Sequence, residues 1–329
     1  MRRRDFIATL AAMTVGPIGA ARAQTADRVK VLGVLFPGSA SDPLASAYVN
    51  AFRQGLAASG WIEGRNLRTE IRYGGGDAEK IASDARDLAA PAPDAIFTFG
   101  NPALTAVLTV TRTIPTIFAG VGDPVAAGFV PNLSHPGGNT TGFGLYAPSI
   151  AGKWLEFLKE AAPQVTTVTM LMNAATPSHA IYRANAETAA GALSIALIAT
   201  DINSADDIAH AIDGVTADGH AGLLVLPSNV AVEHRNLLIA RAAARRIPAA
   251  YPFTFFARSG GLIGYSPDLD DQCRRAAAYV DRVFRGEKPG DLPVQNPTKF
   301  ERVINLKTAA ALGLTLPPTL LAQADDVIE

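Results

Sequence analysis

The 329-residue chain contains one cysteine, Cys273, so no disulfide can form within it. That residue lies in QCRRAAAYVDRVF, a helical pattern in which it reads as a packing side chain. Histidine is scarce as well. The five, at 135, 179, 210, 220 and 234, form no H-E-x-x-H and have no cysteine partners at zinc spacing, so neither a metal nor a cofactor is expected. His135, in the SHPGG turn, reads as structural and exposed. The chain lacks G-x-S-x-G and G-x-x-x-x-G-K-[ST], which removes the signatures of a nucleophile-elbow hydrolase and of a phosphate loop. Racemases that work through paired cysteines are excluded by the single thiol. Asp123 could serve as a base in a cleft, but its position before Pro124 already explains it as a cap, and no enzyme is expected. There is little excess charge of either sign: 29 Lys and Arg against 30 Asp and Glu give a net −1, which offers no basic field to nucleic acid. The densest cationic group, RAAARR at 241–246, suits a helix C-terminus. Beyond the first two dozen residues no apolar run is long enough to span a bilayer.

What is present begins with those first residues. MRRRDFIATLAAMTVGPIGAARAQ carries a basic start, a short apolar run and Ala21-Arg22-Ala23, the organisation of an export signal over 1–23. Arg3, Arg4, Phe6 and Ile7 give R-R-x-F-I, which resembles a twin-arginine signal; a general secretory signal with additional arginines is the alternative. Cleavage after Ala23 would release a protein beginning at Gln24 into the periplasm, without a cysteine there for a lipid anchor.

The remainder alternates between strand-like and helix-like textures. VKVLGVLF (29–36) is a β-branched apolar run, after which Leu44, Ala47, Tyr48, Ala51, Phe52 and Leu56 recur at helical spacing. Strands at 67–73, 95–99 and 116–121 and helices at 78–90 and 102–111 continue the series. A second copy follows: strands at 168–173, 195–202, 223–228 and 249–253 separated by helices at 178–191, 205–213 and 231–245. Such alternation specifies α/β architecture, here two similar doubly wound lobes with mostly parallel sheets. The joining stretch GFGLYAP (142–148) contains G-x-G-x-x-A but reads as a connection, since no acidic residue stands about 20 positions later. After 260 come a short strand (260–266), a helix (269–286), a proline-rich stretch, a strand (301–306) and a helix (307–312). This tail suggests a chain that returns to the first lobe and crosses back. Lobe 1 is then expected over 24–143 plus about 267–295 and lobe 2 over 144–264 plus about 299–329, with hinges near 142–146, 262–268 and 293–300.

The junctions carry the functional signal. FTFGNPALTAV (97–107) runs from strand to helix through Asn101-Pro102, a cap followed by a residue suited to the first helical turn. Asp42-Pro43, Asp123-Pro124, Asn173 with Thr176-Pro177, and Ser228-Asn229 follow strands in the same way. In a parallel sheet all such ends share one edge, where ligands bind, and the free N–H groups and hydroxyls there favour a carboxylate. Two lobes with facing edges of this kind describe a cleft that closes on a small molecule by hinge motion.

The sequence resembles the substrate-binding proteins of ABC transporters, specifically the family of periplasmic components of uncharacterised ABC transport systems. The stretches that carry the resemblance are VLGVLFPG, AFRQGLAASGWIEGRNL, IPTIFAGVGDPVAAGFVPNLSHPGGNTTGF, RRIPAAYPFTFFARSGGLIGYSPDL and GEKPGDLPVQNPTKFERVINLKTAAALGL, with G-D-P-V-x-x-G followed by HPGGN-x-TG the most specific. The resemblance implies a type I periplasmic binding protein fold with three crossovers. Its implied activity is capture of a small organic ligand, an amino acid or related carboxylate, for an ABC permease in the inner membrane. Some members carry aromatic amino acids. By position, it implies Ser39, Asn101 and the Gly120–Asp123 turn on the first lobe's ligand edge, Asn173, Ser228, Asn229 and Tyr251 on the second's, and Tyr265 at a crossover. A tyrosine could stack on an aromatic ligand or simply pack the hinge. A monomer is expected. A sensor read by a membrane receptor is the alternative role for the same fold.

Overall fold

The computed structural model describes residues 28–145, 149–176, 178–216 and 218–329; the expected export signal lies outside them. The first half builds β1 (Lys30–Phe36), α1 (Pro43–Ala58), β2 (Leu67–Tyr73), α2 (Ala78–Ala89), β3 (Ala95–Phe99), α3 (Gly100–Val110), β4 (Thr116–Val121) and β5 (Thr140–Gly144). These strands form one parallel sheet in the order β2-β1-β3-β4-β5. β4 is buried along its whole length, as expected of a strand covered by helices on both faces. α2 shows how sequence sets this packing: Asp77 accepts from the N–H groups of Glu79 and Lys80, and Ile81, Ala85 and Leu88 then fall on one buried stripe.

The second sheet collects α4 (Ile150–Ala161), β6 (Thr167–Met172), α5 (Ser178–Ala192), β7 (Ala196–Asp201), α6 (Ala205–Asp213), β8 (Ala221–Val225), α7 (Asn229–Glu233), α8 (Arg235–Ala244), β9 (Ala249–Tyr251), α9 (Thr254–Arg258) and β10 (Ile263–Pro267). After α10 (Leu269–Phe284) come β11 (Phe300–Asn305), α11 (Leu306–Ala311), α12 (Pro318–Ala322) and β12 (Asp326–Ile328). The strand order is β12-β11-β10-β9-β8-β6-β7, parallel except where β11 runs against β10. The architecture is thus two α/β lobes, each built on a largely parallel sheet.

The chain passes between the sheets three times: after β5, between β10 and α10, and between Gln295 and β11. α10 belongs with the first sheet, because Cys273, Ala276, Ala277 and Val280 join the core of Leu32, Phe52 and Phe97. Gly55 permits that docking. A Cβ there would lie 2.6 Å from the Arg274 carbonyl, so only glycine lets α1 and α10 approach this closely. The returning segment is tied down by the Thr141 hydroxyl, which donates to the Leu292 carbonyl at 2.6 Å, and by Gln295, whose N–H reaches Gly142.

α9, α12 and β12 are additions to the sequence reading, and three further features depart from it. The helix expected over 231–245 breaks at His234, whose backbone (φ −99°, ψ 24°) ends α7 and begins α8. The GFG of the joining stretch lies in β5 instead of a connection, its residues buried beside β4. α4, unanticipated, buries Ile150, Ala151, Trp154, Leu155 and Leu158, and its Trp154 indole donates to the Tyr265 carbonyl at 2.8 Å.

Candidate ligand-binding cleft

The carboxyl ends of the parallel strands in the two sheets approach each other. Ser178 Oγ, at the start of α5, lies 3.7 Å from where a side chain on Gly122, just past β4, would begin. Arg235 at the start of α8 stands 3.9 Å from the Asp42 carboxylate at the start of α1. The buried Tyr182 phenol is pushed up first by burial and then by the charge of Asp123 across the gap.

On the first lobe, Ser39 is exposed in the loop after β1, its hydroxyl 2.9 Å from that of Ser41 and accepting the Ser41 N–H. Asp42 caps α1 through the Leu44 N–H at 3.0 Å, with Pro43 at the first helical position as expected. Asn101 departs from expectation. It caps nothing, since α3 begins at Gly100 and has no side-chain cap. Its Oδ1 instead accepts the Gly122 N–H at 2.9 Å and its Nδ2 faces the Gly122 carbonyl at 3.4 Å, so it ties the loop after β3 to the loop after β4. Asp123 adopts a positive φ of 28°, uncommon for a residue with a side chain, and its carboxylate accepts the Ala126 N–H at 2.9 Å. It caps a turn rather than the expected helix. Gly120 contributes no free donor: its N–H is taken by Gln272 Oε1 at 3.2 Å, and its φ of +66° leaves the Phe99 ring where a Cβ would stand.

On the second lobe, Asn173 organises the loop after β6. Its Oδ1 accepts the Ala175 N–H, and its Nδ2 donates to the Ile202 carbonyl and to Asn203 Oδ1. Ser228 caps α7 by accepting the Ala231 N–H at 3.1 Å, with Asn229 exposed beside it. The two tyrosines diverge from these. Tyr251 is 2% exposed and stacks on Phe256 at 4.9 Å, so it fills the second core instead of lining the cleft. Tyr265, half-buried in β10, stacks on Phe300 and meets Phe157 edge-on, a packing role at the crossover.

The sequence reading missed the aromatic floor. Phe36 stacks on Phe99 at 5.2 Å, and Phe99 on Tyr48 at 5.0 Å. Tyr48 and Phe99 are only partly buried, and both pack against the cores of both lobes. Burial, then the neighbouring Cys273, Asp270 and Asp42, push the Tyr48 phenol up. One buried oxygen of Asp270 has no hydrogen-bond partner, and its carboxyl is raised by desolvation and by Asp268. The cleft therefore offers hydroxyl and amide groups along its edges, a pair of rings, and an acidic flank. Among the described residues no group of three or more His, Cys, Asp or Glu could hold a metal. No helix among them is long and apolar enough to cross a membrane.

Comparison with known proteins gives a consistent picture. The family described as ABC transporter substrate binding protein matches residues 39–328. The chain is 25% identical over 264 residues to a tyrosine-binding protein of Clostridioides difficile, covering 80% of this chain and 75% of that one. It superposes with a TM-score of 0.83 at 25% identity on an ABC domain from Streptococcus pneumonia in complex with L-Trp, covering 91% and 99% of the two chains. A ligand-free, open substrate-binding protein with adhesive properties from Clostridium difficile shares the fold at 22% identity and a TM-score of 0.71, with 92% and 99% covered.

Proposed function

The chain belongs to the ABC transporter substrate-binding protein family, and from that premise we propose that it captures an amino acid with an aromatic side chain between its lobes and presents it to an ABC permease. The observation that carries the choice of ligand is the Tyr48–Phe99 pair, two partly buried rings set where the cores of both lobes meet. A third flat ring entering the cleft would stack there, an arrangement worth about 0.5–1.5 kcal/mol beyond the area it buries. The orphaned oxygen of Asp270 suits an ammonium. Ser39, Asn101, Gly122, Ser178, Ser228 and Asn229 suit the carboxylate or hold the loops that do. The binding of tyrosine and tryptophan by the relatives supports the same ligand class.

The lobes comprise about 28–144 plus about 268–295 and about 149–267 plus about 299–329, hinged where the chain crosses. Ligand stabilises the closed form because it touches both edges, and the closed form docks on the permease. The protein acts as a monomer in the periplasm, exported by the signal over 1–23 and starting at Gln24. A thermal-shift panel tests this reading on protein unfolded and refolded to strip bound ligand. Ligand at 100 times its dissociation constant stabilises the fold by about 2.7 kcal/mol. Shifts with L-tyrosine or L-tryptophan and none with sugars are expected; a shift with sugars alone would overturn the ligand class.

A further inference from the structure

His179 is fully buried in the first turn of α5, and both of its ring nitrogens are engaged by backbone groups from different loops. Nδ1 stands 2.9 Å from the Asn173 N–H, in the loop after β6. Nε2 stands 2.9 Å from the Pro227 carbonyl, in the loop after β8 and adjacent to Ser228. An N–H can only donate and a carbonyl can only accept, so the ring is neutral, with its proton on Nε2. Through Asn173 the same connection reaches the loop after β7, at Ile202 and Asn203. Three loops along the second lobe's ligand edge are thus joined through one imidazole, and the residue before it, Ser178, faces Gly122 of the first lobe.

We propose that His179 is the positioning residue of the second lobe's closing edge, and that protonating its ring loosens the loop at 173–176 and the loop at 227–229 and releases the ligand. This rests on the reading that ligand binds between the lobes. A second ring proton would set Nδ1–H against the Asn173 N–H, two donors facing each other inside the protein, and the loop would have to swing away. The edge would then be competent for only part of the time, and apparent affinity falls by that fraction.

The groups around the ring are few. Asp201 on β7 is the charged group whose field favours the proton; its carboxylate is held by the Ala174 N–H and the Asn203 amide. Asn173 and Pro227 bring backbone groups only, and Tyr182 on α5 brings its ring at 6.2 Å. Burial outweighs Asp201 and holds the imidazole below its ordinary 6.5. The unfolded chain therefore takes up the proton first. The stability His179 contributes is fully present above about pH 6.5 and is lost as pH falls below that value towards the lowered pKa of the folded state.

The test compares wild type with His179→Asn, which cannot titrate, and with His179→Phe. Calorimetric titration with L-tryptophan and L-tyrosine is run at pH 7.5 and 5.0, and amide hydrogen exchange of ligand-free protein is followed over 173–179 and 226–231 at the same pH values. Wild-type affinity is expected to fall by more than about twofold on acidification, in step with the fraction of rings that take up the proton. For H179N the change is expected to be under about twofold. Asp270 and Glu301, whose carboxyls burial pushes up, are retained in both proteins, so the difference isolates the ring. Exchange in the two segments should accelerate, relative to intrinsic rates, in wild type and not in H179N, and H179F should show open loops already at pH 7.5. Equal pH dependence of wild type and H179N in exchange would overturn the proposal whether or not any ligand binds. Absence of binding to wild type at pH 7.5, with the exchange difference intact, would instead overturn the ligand reading and leave the role of His179 in the loops supported.

Discussion

Replacing Asn101 separates a helix cap from a bridge across the ligand edge. The structure gives Asn101 one good hydrogen bond, from the Gly122 N–H at 2.9 Å, and one long contact to the Gly122 carbonyl at 3.4 Å. Asn101→Ala leaves the Gly122 N–H without its partner in a half-buried loop, at a cost of about 1–2 kcal/mol. The same loop carries the strained Asp123 and faces Ser178, so its displacement falls where the lobes meet. Affinity for L-tryptophan should therefore drop about tenfold, or roughly 1.4 kcal/mol, beyond the change in unfolding free energy. Asn101→Ser distinguishes the roles. Serine is a good helix cap and would restore a capping residue, but it is too short to replace the amide at Gly122. Urea unfolding and calorimetric titration of N101A and N101S should show both variants weakened alike. An N101S that behaves as wild type would refute the bridge, and an N101A that unfolds and binds as wild type would refute any role for the side chain.

Other consequences are equally direct. Gln272 is buried, accepts the Gly120 N–H at 3.2 Å and donates to the Gly144 carbonyl at 3.0 Å. Q272L strands a donor and an acceptor beside two crossovers and should lower the unfolding free energy by about 2–3 kcal/mol in urea; an unchanged midpoint would contradict this. Gly120→Ala forces a left-handed backbone on alanine and sets its Cβ 2.9 Å from the Phe99 ring. It should cost about 1–3 kcal/mol and disturb the Tyr48–Phe99 stack, read as a change in near-ultraviolet dichroism. Cys273 is fully buried and its thiol is pushed up by burial, so Ellman's reagent should leave the native protein untouched and label one thiol in denaturant.

The extent to which sequence foretold structure follows from which interactions are local. β3 and β4 begin and end where their largely apolar runs do, as expected of strands buried between helices, whereas β2, at the sheet edge, carries Arg68, Glu70 and Arg72 and shows itself by alternation. Asp42 and Ser228 cap the helices expected of them, each through an N–H two or three residues on. Asn101 has the same chemistry and a different partner, 21 residues away, which only the pairing of β3 with β4 brings near. Tyr48 and Phe99 were hidden for a related reason: a ring on a helix's apolar stripe or at a strand end reads alike whether it covers its own sheet or also meets a second lobe. α4 was legible, since Ile150, Ala151, Trp154, Leu155 and Leu158 recur at helical spacing directly after Ser149, a residue of N-cap type, even though the serine side chain makes no cap hydrogen bond in the structure. The resemblance implies Tyr251 on the ligand edge by position, whereas its ring is held in the core by Phe256.

The central claim is that an aromatic amino acid is held between two lobes that close on it. Small-angle X-ray scattering of ligand-stripped protein, recorded with and without saturating L-tryptophan or L-tyrosine and paired with calorimetry on the same samples, tests it most directly. One ligand per chain and a contraction of the radius of gyration on binding are expected. Binding with an unchanged scattering profile, or no binding of either amino acid by a folded protein, would contradict it.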